Sequence, residues 1–280
     1  SLISGNTAFN NTDFVAIGTP VKGFGGGIYL EDGSVVIYGG ILEKNTASYA
    51  DNNEAVCGNG GAVYNVGGRL IMEACEVLEN TATNSQGFGY GGGISNASGN
   101  EVKLFNTLIA KNAAGAQALG GGISNTAGKN VPLTNVTIAG NTAGQKDVTK
   151  GSDSSVGGGS GIYNYSEGHI TVENTIVWHN QEEDGIVQYL DDGATHVSGY
   201  CLIRDLQNDP DMGDTKELDG KNRPVEYPRF MDATNHNYRL KAASPLRNLA
   251  EKEYIENDNT WNNPEKDLDN NERINQILDL

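Results

Sequence analysis

Residues 120–141 read GGGISNTAGKNVPLTNVTIAGN, a Gly-Gly-small triplet followed about one short turn of chain later by apolar-x-x-Asn. The same pairing recurs in five copies: Gly27 to Asn45, Ala62 to Asn80, Gly93 to Asn112, Gly122 to Asn141 and Gly161 to Asn180. Triplet and Asn are always 18 or 19 residues apart, whereas the connections between copies vary from 10 to 20 residues. A constant unit with variable joints marks a stacked repeat, in which no single unit can bury its apolar face alone.

Counting back from each Asn, the third residue is Leu42, Val77, Ile109, Ile138 or Val177. The eighth is Ile37, Met72, Leu104, Leu133 or Val172, and the tenth Val35, Leu70, Val102, Val131 or Ile170. The eighth and tenth columns share the two-residue period of strand side chains on one face, so both point inward. A further apolar column, Ile28, Val63, Ile94, Ile123 and Ile162, follows the triplet. Each copy therefore carries three short strands with Gly or Asn at the bends, which describes one rung of a parallel β-solenoid with rungs ~4.8 Å apart. The Gly density excludes a helix.

Asparagine is columnar as well. Asn45, Asn80, Asn112, Asn141 and Asn180 form one file, and Asn65, Asn96, Asn125 and Asn164 a second. Stacked amides can hydrogen-bond from rung to rung, and Asn tolerates the left-handed bend, so both files read as structural ladders.

The formal net charge is −17, with −6 on residues 1–180 and −11 on residues 181–280. A surface this acidic repels phosphate backbones and anionic membranes, which argues against nucleic acid as a partner and against membrane insertion of this segment. Cys57, Cys75 and Cys201 are too few and scattered for a disulfide framework or a zinc site. Cys75 falls in a column of small residues with Gly40, Thr107, Val136 and Thr175 and reads as core.

Ile3-Ser4-Gly5-Asn6-Thr7-Ala8 matches the end of a copy, so the expectation is a processed or cut start with further segments upstream. The repeats, with one irregular extra rung, carry the solenoid over residues 1–203. Residues 204–280, rich in Asp, Asn and Pro, are expected to pack on the solenoid as an irregular C-terminal cap over its last rung, because a solenoid end exposes unpaired strand edges.

The Gly-Gly-small-apolar start and apolar-x-x-Asn end, as in Gly121-Gly122-Ile123 with Ile138-Ala139-Gly140-Asn141, resemble the repeats of polymorphic outer-membrane-type proteins and of adhesin-like bacterial β-helix proteins. The resemblance covers about residues 1–200 and departs from the polymorphic type in lacking its usual Phe before the x-x-Asn. Tyr227-Pro228-Arg229-Phe230, Tyr238-Arg239-Leu240-Lys241-Ala242-Ala243-Ser244-Pro245 and Asp267-Leu268-Asp269 look like the closing segment of secreted bacterial β-helix proteins. What the resemblance implies is a right-handed single-stranded parallel β-helix, all-β, that is secreted or outer-membrane-anchored and therefore extracellular or on the cell surface.

The connections recur at one corner of every rung and pile up along one side, where repeat proteins commonly bind. Phe24, Tyr49, Phe88 and Tyr90 lie on them. Tyr29 and Tyr64 stand in an outward column with Ser95, Ser124 and Tyr163, one rung apart and close enough for their rings to stack on each other or on a sugar. These five aromatics, Tyr29, Tyr64, Tyr49, Phe88 and Tyr90, are the candidate binding residues, with packing under an overlying loop as the competing explanation.

No catalytic residue is assigned. Glu73 and Glu173 share an outward column but should stand ~14 Å apart, too far for a glycosidase pair. Arg69 and Lys103 read as isolated solubilising charges, and His169 with His179 lacks a third metal ligand. Asp51-Asn52-Asn53-Glu54 and Asp191-Asp192 could supply oxygens to Ca²⁺ but lack the spacing of known calcium loops, so no cofactor is expected. The sequence thus points to a monomeric adhesin-like or glycan-contacting module whose partner is a polysaccharide, a surface glycan or a host protein. The alternative is a polysaccharide lyase or glycoside hydrolase.

Overall fold

The structure is a computed structural model and describes residues 1–10, 23–49, 58–84, 89–97, 101–115, 118–126, 130–144, 159–164, 168–178, 180, 189–191, 194–198, 201–203 and 228–244. Apart from one hairpin, every described sheet is parallel, and its strands come from successive copies of the repeat: the chain is a parallel β-solenoid.

The three strands read from the sequence are present in each copy. The strand after the triplet stacks into a six-stranded sheet running from Ile28–Leu30 through Val63–Asn65, Ile94–Asn96, Ile123–Asn125 and Ile162–Asn164 to Tyr189–Asp191. The middle strand forms a second six-stranded sheet, from Ser34–Tyr38 through Arg69–Glu73, Glu101–Phe105, Asn130–Thr134 and His169–Glu173 to Ala194–Ser198. The strand before the ladder Asn forms a seven-stranded sheet that begins one rung earlier, at Leu2–Ser4, and ends at Leu202–Ile203. Register is uninterrupted, Leu70 opposite Val102 and Val77 opposite Ile109, so the inward columns meet in one continuous core.

A fourth strand per rung was not expected. Thr7–Asn10, Thr46–Tyr49, Thr81–Asn84 and Ala113–Ala114 pair into a four-stranded sheet directly after the ladder Asn, where the sequence suggested loop. Its buried residues are Ala47, Ala82 and Ala114, flanked by Thr, Ser or Ala, so no large apolar residue advertises the strand. That small inward face lets the Gly triplet lie backbone to backbone across it. A Cβ on Gly61 would stand 2.6 Å from Thr81 N, and one on Gly92 2.4 Å from Ala113 C.

The bends are fixed by files of left-handed residues. Lys44, Glu79 and Lys111 hold φ between 54° and 55° at the bend before the ladder Asn, and Asn106, Asn135 and Asn174 hold φ between 46° and 54° at the bend before the third strand. Non-Gly residues keep this conformation only where surroundings over-determine it. Here the over-determining element is the ladder.

Asn6, Asn45, Asn80, Asn112 and Asn141 each donate Nδ2–H to the Oδ1 of the next Asn at 2.9 or 3.0 Å, ending on Asn180. The second Nδ2 hydrogen reaches back to a carbonyl of the preceding rung, as from Asn112 to Val77 O at 2.9 Å. Each Oδ1 also accepts the backbone N–H of the preceding Asn, as from Asn80 to Asn112 at 3.0 Å. The second file shares the side-chain relay, Asn65 to Asn96 to Asn125 to Asn164, but its amides close the local turn instead: Asn65 donates to Gly68 O at 3.0 Å and accepts from Gly68 N–H at 2.9 Å.

The described part of the C-terminal region is an antiparallel hairpin, Phe230–Asp232 with Asn237–Leu240 around the 3-10 turn Ala233–Asn235. It lies on the flank: Tyr238, Phe230 and Ala233 pack on Leu78, Leu108, Ala110 and Ala139, on the outer face of the seven-stranded sheet. Residues 204–227 and 245–280, where the cap over the last rung is expected, lie outside the described residues.

Asn112→Ala takes the buried Asn80 N–H's acceptor away and removes one hydrogen bond each from Asn80 Nδ2, Asn141 Oδ1 and the Val77 carbonyl. Urea unfolding should show a loss of about 2–4 kcal/mol. Asn6→Ala, at the exposed end of the same file, should cost under about 1 kcal/mol.

Candidate functional site

The first-rung corner brings three aromatic rings together. Phe24 opens the turn that leads through Gly25 and the triplet into Ile28–Leu30, whose central residue, Tyr29, stands in register with Tyr64 of the next rung. The ring centroids of Tyr29 and Tyr64 are 5.9 Å apart, those of Phe24 and Tyr64 4.5 Å, and those of Phe24 and Tyr29 6.2 Å with planes only 9° apart. The side-by-side placement expected of the two tyrosines is therefore present, and Phe24 joins it.

Exposure divides the column. Tyr29 is 47% exposed, whereas Tyr64 is 8% and Tyr163 6% exposed, and Ser95 and Ser124 are buried. Tyr64 supports the platform from within and Tyr29 offers it to solvent. Sequence spacing put Phe24 on a connection but gave no sign that its ring would meet the tyrosines, because that contact depends on how the Gly-rich turn folds back.

The remaining candidates separate. Tyr49 ends the fourth strand, opposite Asn84 and Asn10 in the backbone register. Tyr90 is half-buried in the short strand Gly89–Tyr90, which pairs with Gly58–Asn59 and bridges to Leu119. Phe88 lies outside the described residues. The corner expected to be a pile of loops is thus partly a stack of strands.

The middle-strand sheet holds the carboxylates. Glu73, Phe105, Thr134 and Glu173 are consecutive in register, so the two Glu are three rungs apart, ~14 Å, beyond the reach of a paired-carboxylate mechanism. Although this column points away from the core, Glu73, Phe105 and Thr134 in its middle are buried, while Tyr38 at one end is exposed and Glu173 partly exposed. Arg69 and Lys103 are not isolated either. Both pair with Glu101, Arg69 through Nε and Lys103 at 3.0 Å, and the Arg69 hydrogen bond is the main reason that the Glu101 carboxyl is held below its usual range.

Among the described residues no group of three or more His, Cys, Asp or Glu side chains could hold a metal ion. His169 is exposed at the start of its strand, and His179, Asp51-Asn52-Asn53-Glu54 and Asp192 lie outside the described residues. Cys75 and Cys201 are buried free thiols. Burial pushes Cys201 up to about 12 and Cys75 upward too, which keeps both as unreactive core thiols.

The flank hairpin sets a second polar cluster on the left-handed file. His236 Nε2 lies 2.9 Å from Glu79 Oε1, Lys44 Nζ 3.7 Å from Glu79 Oε2, and Lys111 Nζ donates to the Thr234 carbonyl. Tyr238 is buried there, edge-on to Phe230 with centroids 5.2 Å apart.

Compared with protein families, with curated proteins and with solved structures, the chain matches none of them.

Burial, aided by the Glu79 charge, pushes the Tyr238 phenol up to about 12. A phenol held neutral in the folded state contributes stability that is fully present below its unfolded value of about 10 and is lost as pH rises through the folded value. Urea midpoints should therefore fall between pH ~10 and ~12, by on the order of 2 kcal/mol, and the fall should be smaller in Tyr238→Phe, which keeps the ring.

Proposed function

We propose that this chain is a β-solenoid binding module of the cell surface or secreted space, adhesin-like in architecture, that contacts a polysaccharide or surface glycan through the first-rung aromatic corner. The observation that carries this reading is the half-exposed Tyr29 ring, held parallel to Phe24 and braced by the buried Tyr64. A rigid aromatic face with a polar hydroxyl at its edge suits the apolar C–H face and peripheral hydroxyls of a sugar ring. The support costs little conformational entropy on binding, because the backing rings are already packed.

The charge narrows the ligand. Glu31 and Asp32 are exposed directly after Tyr29's strand, and the chain as a whole carries −17. Neutral sugars are favoured over uronates or sulfated polymers, which this surface repels. The solenoid supplies reach: sites repeated or extended along its axis can follow a long polymer.

A panel of neutral and acidic polysaccharides, read by retention and by glycan array, tests the reading. Binding to a neutral polymer is expected, reduced at least about tenfold in Tyr29→Ala, equivalent to ~1.4 kcal/mol, and unchanged in Lys241→Ala on the distant hairpin. Unchanged retention in Tyr29→Ala would remove this corner as the contact. Release of reducing ends or of unsaturated products from a bound polymer would replace the binding reading with a lyase or hydrolase.

A further inference from the structure

The flank hairpin, residues 228–244, is closed by its own bonds. At its tip Asp232 accepts from the backbone N–H and the Nδ2 of Asn235, at 3.2 and 2.7 Å. At its base Lys241 N–H donates to Arg229 O at 2.9 Å and Ser244 Oγ to Pro228 O at 2.6 Å. Among the described residues its backbone–backbone hydrogen bonds all stay inside it, and its two strands pair only with each other. Side chains therefore hold it to the solenoid, and its release breaks no hydrogen bond of the parallel sheets.

Its polar contacts fall on one file. The left-handed residues before the ladder Asn are, rung by rung, Lys44, Glu79, Lys111 and Gly140, with φ between 54° and 66°. The hairpin meets the last three in turn: His236 Nε2 lies 2.9 Å from Glu79 Oε1, the Thr234 carbonyl accepts from Lys111 Nζ, and the Tyr238 hydroxyl lies over Gly140. A Cβ at residue 140 would stand 3.0 Å from Tyr238 Oη and 3.5 Å from Lys111 Cγ, so a side chain there competes with the phenol for one space. Glycine relieves left-handed strain at any such bend, yet Lys44, Glu79 and Lys111 show that this bend does without it.

Sliding the hairpin by one rung destroys the match. One step toward residue 1 sets the Thr234 carbonyl against the Glu79 carboxylate, two acceptors, and the Tyr238 hydroxyl against the Lys111 side chain. It also puts Glu43 and Glu76 where Leu78 and Leu108 now meet the apolar face. One step the other way leaves Thr234 opposite Gly140, which has no donor side chain, and puts the far larger Trp178 in the place of Ala139.

We infer that the hairpin is a releasable strap addressed to rungs two to four by this file, in which Glu79 and Lys111 face its tip and Gly140 is the bare seat that admits Tyr238. Released, it uncovers Leu78, Leu108, Ala110 and Ala139, an apolar strip on the outer face of the seven-stranded sheet. The strap is separate from the sugar-contact reading, because Tyr29 stands on a different sheet.

Limited trypsin digestion, with mass spectrometry of the bonds after Arg239 and Lys241, reads release, since cutting within a paired strand follows the population that is open. Gly140→Lys should raise that rate at least about tenfold with the far-UV β signal unchanged, because two other rungs carry Lys at the same bend. Gly140→Ala should raise it less, and Tyr238→Phe, which lacks the oxygen that the new methyl meets, should remove that increase. An unchanged rate in Gly140→Lys, or the same increase by Gly140→Ala with Tyr or Phe at 238, overturns the proposal. Loss of the β signal in Gly140→Lys assigns the glycine to the bend and overturns it as well.

Discussion

The structure depends on a single file of amides. Asn45, Asn80, Asn112 and Asn141 each spend both Nδ2 hydrogens and both Oδ1 lone pairs on neighbouring rungs, so groups that would be costly to bury are buried with no valence left over. The backbone needs such a file because its left-handed bends recur every rung. A bend held by long charged residues at Lys44, Glu79 and Lys111 has no intrinsic preference for that conformation, and the amide just after it fixes where the chain must turn. Hydrophobic burial then fills the section that the ladder has laid out, with Leu70, Met72, Val77 and their counterparts in unbroken columns.

The glycine triplet and the alanine-faced fourth strand are two sides of one constraint. Where they cross, backbones lie within a distance that a single added carbon would violate, so the section there is two chains thick with no side chain between. That thin corner carries the connections, and it throws Phe24 back onto Tyr29 and Tyr64. The aromatic platform is thus a product of the same close approach that dictates the glycines.

What the sequence made legible follows from what repeats. The three strands, the inward columns and both amide ladders were visible because five copies carry them at constant spacing, and stacking makes a one-dimensional pattern into a three-dimensional one. The fourth strand was hidden because its inward residue is alanine. Burial of Glu73 and Phe105 was hidden because alternation gives the direction of a side chain and says nothing about what covers it. The aromatic corner was half legible: Tyr29 and Tyr64 follow from register, whereas Phe24 enters through a Gly turn that recurs before every triplet but carries Asn59 and Leu119 where the first copy has Phe24. The Arg69–Glu101–Lys103 cluster joins neighbouring rungs across a position occupied by Ser34 and Asn130 in the rungs on either side, so no column announced it.

A stack of rungs coupled only to its neighbours behaves as a linear chain of units, free to fray from either end. The flank hairpin breaks that simplicity. By resting on Leu78, Leu108 and Ala139 at once, with His236 beside Glu79 and the Thr234 carbonyl bonded to Lys111, it joins three successive units through an element more than ninety residues downstream in the chain. The solenoid therefore carries a long-range cross-link without a covalent bond. Its middle opens as one block, and slow amide exchange should concentrate there.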